Sequence, residues 1–296
     1  MSPDDIIVCA NCGKGGEGDN DMKLKTCTAC KLVKYCSREC QIAHRPQHKK
    51  DCKKRAKDLH EEALFKQPPP LDDCPICFLR MPSLGSGKVY MACCGKLICR
   101  GCIYAVALEN DDQLCPFCRT PAPTTDKEVV EIHKKRMEMK DPMAISSLGG
   151  FYANGSYGLP QNYAKALELY KRAAELDNAG AYYNIGNSYS DGIGVERDMK
   201  KARHYWELAA MRGQVMARNN LGAHSLNLDR ALKHWNIAVE GGNKDSLENI
   251  KRFYMKGGTT KDDYTTALGK YQEFVDDIRS AQRDGAAAFS DEYKYY

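Results

Sequence analysis

The chain has 296 residues, 44 lysines and arginines against 39 aspartates and glutamates, and a formal net charge of +5 at pH 7. This length favours two or more domains, and a mean hydropathy of −0.58 is typical of a folded chain in water. No stretch approaches the ~18 uninterrupted apolar residues that a membrane span needs. The N-terminal residues 1–8 include Asp4 and Asp5 and do not match a secretory signal.

The cysteines are the most informative residue type. There are 15 of them, and all lie between Cys9 and Cys118. An odd number cannot pair completely in disulfides, so we expect a reducing compartment, in the cytoplasm or the nucleus. Together with one histidine, the cysteines supply enough ligands for four tetrahedral zinc sites.

The first cysteine block covers residues 9–52. Its candidate ligands are Cys9, Cys12, Cys27, Cys30, Cys36, Cys40, His48 and Cys52. A Cys-x2-Cys turn presents two thiolates to one metal, and side chains four residues apart lie on one helix face. The stretch YCSRECQIAHRPQHKKDC, residues 35–52, resembles the MYND zinc finger.

That resemblance implies two interleaved zinc sites. One would take Cys9, Cys12, Cys36 and Cys40, and the other Cys27, Cys30, His48 and Cys52. His44 precedes the expected ligand by one helical turn and is predicted to be a surface residue. Arg45 stands where the family usually has an aromatic residue, which argues against a groove for proline-rich peptides but not against metal binding.

Residues 53–73 are predicted to form a charged helix over residues 53–66, followed by a stiff proline linker at residues 68–70. The basic run 49–57 is interpreted as a solvated helix face that offsets thiolate charge. We therefore do not expect nucleic-acid binding. That alternative predicts salt-sensitive retention on DNA or RNA.

The second cysteine block covers residues 74–119. Its candidate ligands are Cys74, Cys77, Cys93, Cys94, Cys99, Cys102, Cys115 and Cys118. The motifs CPIC, CCGKLICRGC and CPFCR resemble a RING finger. The implied cross-brace would place Cys74, Cys77, Cys99 and Cys102 on one zinc. The other zinc would take Cys115, Cys118 and two ligands from the middle segment.

The middle segment departs from the RING pattern. A common RING finger has Cys-Gly-His, whereas this chain has Cys94-Gly95-Lys96. Cys93 supplies the missing ligand, although adjacent cysteines are geometrically awkward on one metal. A water molecule, or a histidine such as His60 or His133, is the alternative.

The RING resemblance implies a ubiquitin ligase, which has no covalent catalytic residue of its own. Such a finger positions a conjugating enzyme loaded with ubiquitin. The implied contacts are Ile76, Pro116, Val106, which stands where many active members have Trp, and Arg119, which would bridge the two proteins. The simpler roles are a core side chain for Ile76, a turn for Pro116 and a surface charge for Arg119. A non-catalytic zinc-binding scaffold is the alternative function.

Residues 124–142 are predicted to be a charged helical linker, and residues 143–283 repeat with a period of 36 to 37. Periods in this range indicate stacked helical hairpins. The matching positions include Gly149 and Gly186, Tyr152 and Tyr189, and Ala166 and Ala202. The pattern resembles the Sel-one-like repeats, about four in number. The third copy is short between Gly222 and Ala231, which predicts a shortened first helix or a tight turn.

The sequence therefore predicts small zinc-stabilised α+β modules, first MYND and then RING, followed by an all-α helical-repeat solenoid. Residues 284–296 are predicted to be a flexible tail. The four zinc ions are expected to be structural, since blocks of this size bury too little apolar surface to fold alone. The expected partners are a conjugating enzyme, ubiquitin and further proteins bound by the MYND finger and the repeats, with no membrane.

Overall fold

A computed structural model describes residues 8–14, 24–70, 72–83, 85–109 and 114–296. Residues 1–7, on which the prediction about a secretory signal rests, lie outside the described residues. The chain divides into two compact units, Met1–Lys66 and Gln67–Tyr296. The second cysteine block and the repeats therefore share one unit, whereas the sequence favoured modules separated by linkers. Within the described ranges, no helix has the length and apolarity needed to cross a membrane.

The first unit contains a short hairpin and one long helix. Strands β1 (Lys25–Thr26) and β2 (Lys34–Tyr35) pair antiparallel. Helix α1 (Arg38–Phe65) begins at Ser37, whose side chain accepts a hydrogen bond from the backbone N–H of Cys40. The predicted charged helix is thus only the second half of α1, which continues through Pro46.

The second unit begins with the second cysteine block. Strands β3 (Lys88–Met91) and β4 (Lys96–Cys99) form an antiparallel hairpin, and helix α2 (Arg100–Glu109) follows directly. Helix α3 (Asp126–Glu138) lies within the predicted helical linker. Its first turn is capped by Thr125, whose hydroxyl accepts a hydrogen bond from the N–H of Glu128.

The repeats form successive helix hairpins, which confirms the predicted all-α solenoid. The helices are α4 (Pro142–Asn154), α5 (Tyr163–Glu175), α6 (Ala179–Asp191), α7 (Met199–Met211), α8 (Val215–Ala223), α9 (Leu228–Glu240), α10 (Lys244–Met255) and α11 (Lys261–Ile278). Helix α4 packs on α5, α6 on α7, α8 on α9, and α10 on α11. Since one hairpin cannot bury its own apolar face, neighbouring hairpins also pack together.

A glycine on the first helix of three hairpins makes room for an aromatic ring on the second. A Cβ atom at these glycines would lie 2.4–2.7 Å from the ring. The pairs are Gly149 with Tyr170, Gly186 with Trp206, and Gly222 with Trp235. The repeated glycine in the sequence is therefore a packing requirement, because any side chain there would overlap the ring.

The third hairpin is shorter, as the sequence predicts. Helix α8 has 9 residues, whereas the first helices of the preceding hairpins, α4 and α6, have 13. Residues 284–296 contain regular structure, which differs from the predicted flexible tail. Helix α12 (Ala281–Phe289) and a 3-10 turn over Asp291–Tyr293 follow the repeats, and Tyr295 is 2% exposed. Packing against distant parts of the chain, which local composition does not reveal, orders these residues.

Candidate metal centres

Sixteen side chains form four clusters, and these are the candidate ligands of the sequence analysis. In each cluster the four ligand atoms lie within 4.8 Å of one another. The clusters are Cys9, Cys12, Cys36 and Cys40; Cys27, Cys30, His48 and Cys52; Cys74, Cys77, Cys99 and Cys102; and Cys93, Cys94, Cys115 and Cys118. All fifteen cysteines are free of disulfides.

The spacing of the sulfur atoms fits a tetrahedral zinc ion. With Zn–S bonds of about 2.3 Å, tetrahedral sulfur ligands lie about 3.8 Å apart. The Cys74 and Cys102 sulfurs are 3.8 Å apart, as are those of Cys77 and Cys99. In the fourth cluster, Cys94 and Cys115 are separated by 3.9 Å. These distances are far longer than the ~2.05 Å of a disulfide bond.

The electrostatics of the clusters also favour a bound cation. The side-chain hydrogen bond with Cys40 raises the pKa of Cys36 to about 12. Burial opposes ionisation of Cys9, but hydrogen bonds from the backbone at Cys12 and Cys36 lower its pKa to about 6. The pKa values of neighbouring thiols thus differ because some thiols keep the proton that they share in a hydrogen bond, while others are stabilised as thiolates by hydrogen bonds. A divalent cation between them permits all four to ionise.

Four Cys-x2-Cys turns share one backbone geometry. In each, the residue four positions after the first cysteine has a positive φ of 55–69° and donates its N–H to that cysteine's carbonyl at 2.9 Å. These residues are Gly13, Lys31, Phe78 and Arg119. Only Gly13 is of a type that adopts this conformation readily. The turns hold each pair of thiols on the same side, in the first cysteine block and in the second alike.

His44 has a larger role than the surface position predicted for it. Its Nδ1 lies 3.0 Å from the hydroxyl of Tyr35, which is only 2% exposed. Its ring stacks on the His48 ring, with centroids 5.6 Å apart and planes 11° from parallel. His48 Nε2 in turn lies 3.2 Å from the Cys30 sulfur. His44 thus orients a candidate ligand, although its i,i+4 spacing from His48 was the only signal in the sequence.

The adjacent cysteines of the fourth cluster lie in the turn between β3 and β4. Cys93 approaches Cys118 at 3.5 Å while Cys94 approaches Cys115, so the turn directs the two thiols toward different partners. Gly95 closes this turn with a φ of +73°. No additional histidine is needed to complete the cluster. His133, one alternative considered, instead lies with Nδ1 2.8 Å from the Val129 carbonyl.

Helix α3 braces this turn, which sequence reasoning missed. Arg136 donates hydrogen bonds to the carbonyls of Ala92 and Cys93, at 3.0 and 3.2 Å. Tyr90 on β3 donates to the Asp141 carboxylate at 2.6 Å, and Asp141 also caps α4. The predicted linker therefore joins the second cysteine block to the repeats. Nothing in the charged sequence of α3 distinguishes Arg136 from its neighbours.

The predicted enzyme-contact residues lie on three segments around the third and fourth clusters. Ile76 packs on the apolar cluster of this block, and Val106 on α2 and Pro116 are half-buried. Arg119 is exposed. The same block also exposes three large apolar side chains that the sequence analysis did not single out, Phe78 (76% exposed), Leu108 (68%) and Phe117 (45%). The signal in the sequence for the two phenylalanines was their position next to or within a candidate ligand pair, and Leu108 carried no such signal.

Comparisons with known families agree with two of the three resemblances. Residues 9–52 match the MYND finger, and residues 142–178 and 179–214 each match the Sel1 repeat. The chain therefore contains a MYND finger, which implies zinc, and Sel1 repeats. Both kinds of module imply protein partners.

Individual relatives match only parts of the chain. An uncharacterized protein of Neisseria meningitidis is 29% identical over 167 residues, covering 53% of this chain and 34% of that protein. The E3 ubiquitin-protein ligase GW2 of Oryza sativa is 38% identical over 68 residues, covering 22% and 15%. The chain thus spans about a third or less of these relatives. The crystal structure of a Sel1 repeat protein from Oxalobacter formigenes is 27% identical with a TM-score of 0.44, covering 49% of this chain and 63% of that one.

Proposed function

We propose that residues 74–119 form a RING-type finger that positions a ubiquitin-loaded conjugating enzyme, and that the MYND finger and the repeats recruit protein partners or substrates. The interleaving of cysteine pairs carries this proposal. The first pair of the block clusters with the third, and the second with the fourth. Two metals bound in this order cross-brace a short segment, which thereby gains a fixed surface without a large core.

The metal ions have a structural role in this proposal. Each cluster provides four protein ligands, which leaves no open position for a water or a substrate. The four sites would be Cys9, Cys12, Cys36 and Cys40; Cys27, Cys30, His48 and Cys52; Cys74, Cys77, Cys99 and Cys102; and Cys93, Cys94, Cys115 and Cys118. Since every cysteine belongs to a cluster, none serves as a nucleophile. Unpaired thiols also suit a reducing intracellular compartment.

The exposed apolar side chains support an enzyme-docking surface. Phe78 directly follows the candidate ligand pair Cys74 and Cys77, Ile76 lies within that pair, and Phe117 lies within the last pair of the block. Exposed aromatic side chains grouped on a small module are typical of protein-binding sites. Arg119 follows the last ligand, exposed and with its φ at +61°. Its planar guanidinium can donate hydrogen bonds to a conjugating enzyme and to ubiquitin at once.

The test is ubiquitin transfer by the purified full chain with a panel of conjugating enzymes. Ile76→Ala and Arg119→Ala are expected to lower the transfer rate at least ~10-fold, because each removes a proposed contact with the loaded enzyme. Lys31→Ala is the matched control, since Lys31 occupies the same turn position in the MYND finger with a φ of 56°. No transfer by a fully zinc-loaded wild-type chain, with every enzyme in the panel, would refute the ligase.

A non-catalytic scaffold is the second candidate function. Val106 and Lys96 favour it, because many active RING fingers have Trp and His at those positions. The scaffold predicts that Ile76→Ala and Arg119→Ala leave partner binding by the MYND finger and the repeats unchanged, with no ubiquitin transfer to lose.

A further inference from the structure

The C-terminal segment, residues 281–296, packs on the second cysteine block. Helix α12 lies against α2, with so little space between them that a Cβ at Gly101 would come within 2.8 Å of the Arg283 backbone nitrogen. Arg100 of α2 lies over the Tyr293 ring, 4.7 Å from its centroid. Tyr295 is almost completely buried. The segment is therefore part of the structure that surrounds this block.

Arg283 carries a guanidinium into that contact and is only 1% exposed. Its Nη1 donates to the carbonyls of Arg80 and Ile278, at 2.8 and 2.6 Å. Its Nη2 donates to the Leu79 carbonyl at 3.4 Å and lies 3.7 Å from the Cys77 sulfur. Among the residues that the structure describes, no carboxylate lies within ion-pair distance of Arg283.

A buried guanidinium requires a compensating charge, because transfer of a charge from water to a protein interior is costly. The carbonyl oxygens that it meets are neutral. Cys77 belongs to the cluster of Cys74, Cys77, Cys99 and Cys102. Four thiolates around one divalent zinc carry a net charge of about −2. With zinc bound, this cluster would be the anion that faces Arg283.

We propose that Arg283 is the counter-ion of the Cys74, Cys77, Cys99 and Cys102 zinc site and couples the C-terminal segment to metal loading. The inference rests on the zinc proposed for that cluster. Hydrogen bonding from a cation to a metal-bound sulfur stabilises the negatively charged centre, and such outer partners change metal affinity by ~10–100-fold. Coupling between two binding events is reciprocal, so metal in this site also holds residues 281–296 in place.

The first measurement is zinc release from the intact chain to a chromogenic chelator. Arg283→Met keeps the length of the side chain and removes its charge, and is expected to release one zinc ion about 10–100-fold faster than wild type. Arg283→Lys keeps the charge but loses the planar fork, and should fall between the two. The matched control is Arg279→Met, because Arg279 lies two residues before this helix and forms an exposed ion pair with Asp284 at 3.2 Å.

The second measurement is hydrogen exchange of the wild-type chain before and after zinc removal. Exchange in residues 281–296 is expected to accelerate with loss of the first zinc of the second block, while α5 to α7 keep their protection. Unchanged exchange in residues 281–296, or equal zinc release from Arg283→Met and Arg279→Met, would overturn the coupling. Native mass spectrometry of the wild type separates the two proposals, since absence of zinc in this cluster would refute the metal site itself, whatever Arg283 does.

Discussion

Replacement of Gly149 by alanine places a methyl group too close to the edge of the Tyr170 ring, whereas the same change at Gly150 brings the new methyl group into almost no contact. A Cβ at Gly149 would lie 2.7 Å from Tyr170 Cε1 and 2.8 Å from Cδ1, and Tyr170 is only 7% exposed. A Cβ at Gly150 would have only the Tyr170 hydroxyl nearby, at 3.9 Å. Both glycines lie inside α4, so the pair separates packing from backbone effects.

Gly149→Ala and Gly150→Ala are expected to change the free energy of unfolding in opposite directions. Alanine stabilises a helix interior over glycine by about 0.5–1 kcal/mol. At Gly150 that gain is expected in full. At Gly149 it is outweighed, because carbon atoms in contact normally lie ~3.5–4.0 Å apart and overpacking of a core costs ~1–3 kcal/mol. We expect a net loss of about 1 kcal/mol for Gly149→Ala, so the two variants differ by the overpacking cost, about 2 kcal/mol.

Urea unfolding of the zinc-loaded chain, followed by circular dichroism at the helical band, measures both changes. Tyr170→Leu in the Gly149→Ala background should recover part of the loss, because the smaller side chain vacates the overlapping ring atoms. If both alanine variants stabilise the chain to the same extent, the ring does not require a glycine, and the explanation of the repeated glycine is wrong.

Three further predictions concern metal, pH and the contact between the second block and the repeats. Native mass spectrometry should count four zinc ions, and His48→Ala or Cys93→Ser should each lower the count by one; an unchanged count would exclude that residue as a ligand. Burial, with smaller contributions from nearby arginines, lowers the pKa of His234 from 6.5 to about 3. As the pH falls below 6.5, His234 takes up a proton in the unfolded chain, whereas in the folded chain it does so only near pH 3. The free energy of unfolding therefore has its full value above pH 6.5 and decreases below it, by about 2 kcal/mol at pH 5. His234→Leu should reduce the slope of unfolding free energy against pH over this range, and equal slopes would contradict the assignment. Tyr90→Phe removes the hydrogen bond to Asp141 at a cost of ~1.5–3 kcal/mol, which should appear as faster hydrogen exchange in β3 and β4; unchanged exchange would show that this bond does not hold the hairpin.

The backbone conformation of the Cys-x2-Cys turns could not be predicted from the sequence. The cysteine spacing predicts the pairs, but Lys31, Phe78 and Arg119 all adopt a positive φ that their residue types do not favour. The closure of the turn around the metal ligands imposes that conformation. The charge of Arg119 follows from the sequence, but the position of its side chain depends on the fold.

The cysteine pairs and the repeats could be predicted from the sequence because both are local or periodic patterns, whereas the combination of pairs into clusters was implied only by the resemblance to the MYND and RING fingers. A Cys-x2-Cys turn needs only four residues, and a helical hairpin recurs every 36 to 37 residues with its glycine and its alanines. The tertiary structure alone decided the order of the C-terminal segment, the support of the fourth cluster by Arg136 and the burial of Arg283 beside Cys77. These last two residues are 206 positions apart. The contact between Arg283 and Cys77 depends on the path of the chain through all the repeats between them. No local pattern of charge or hydrophobicity encodes it.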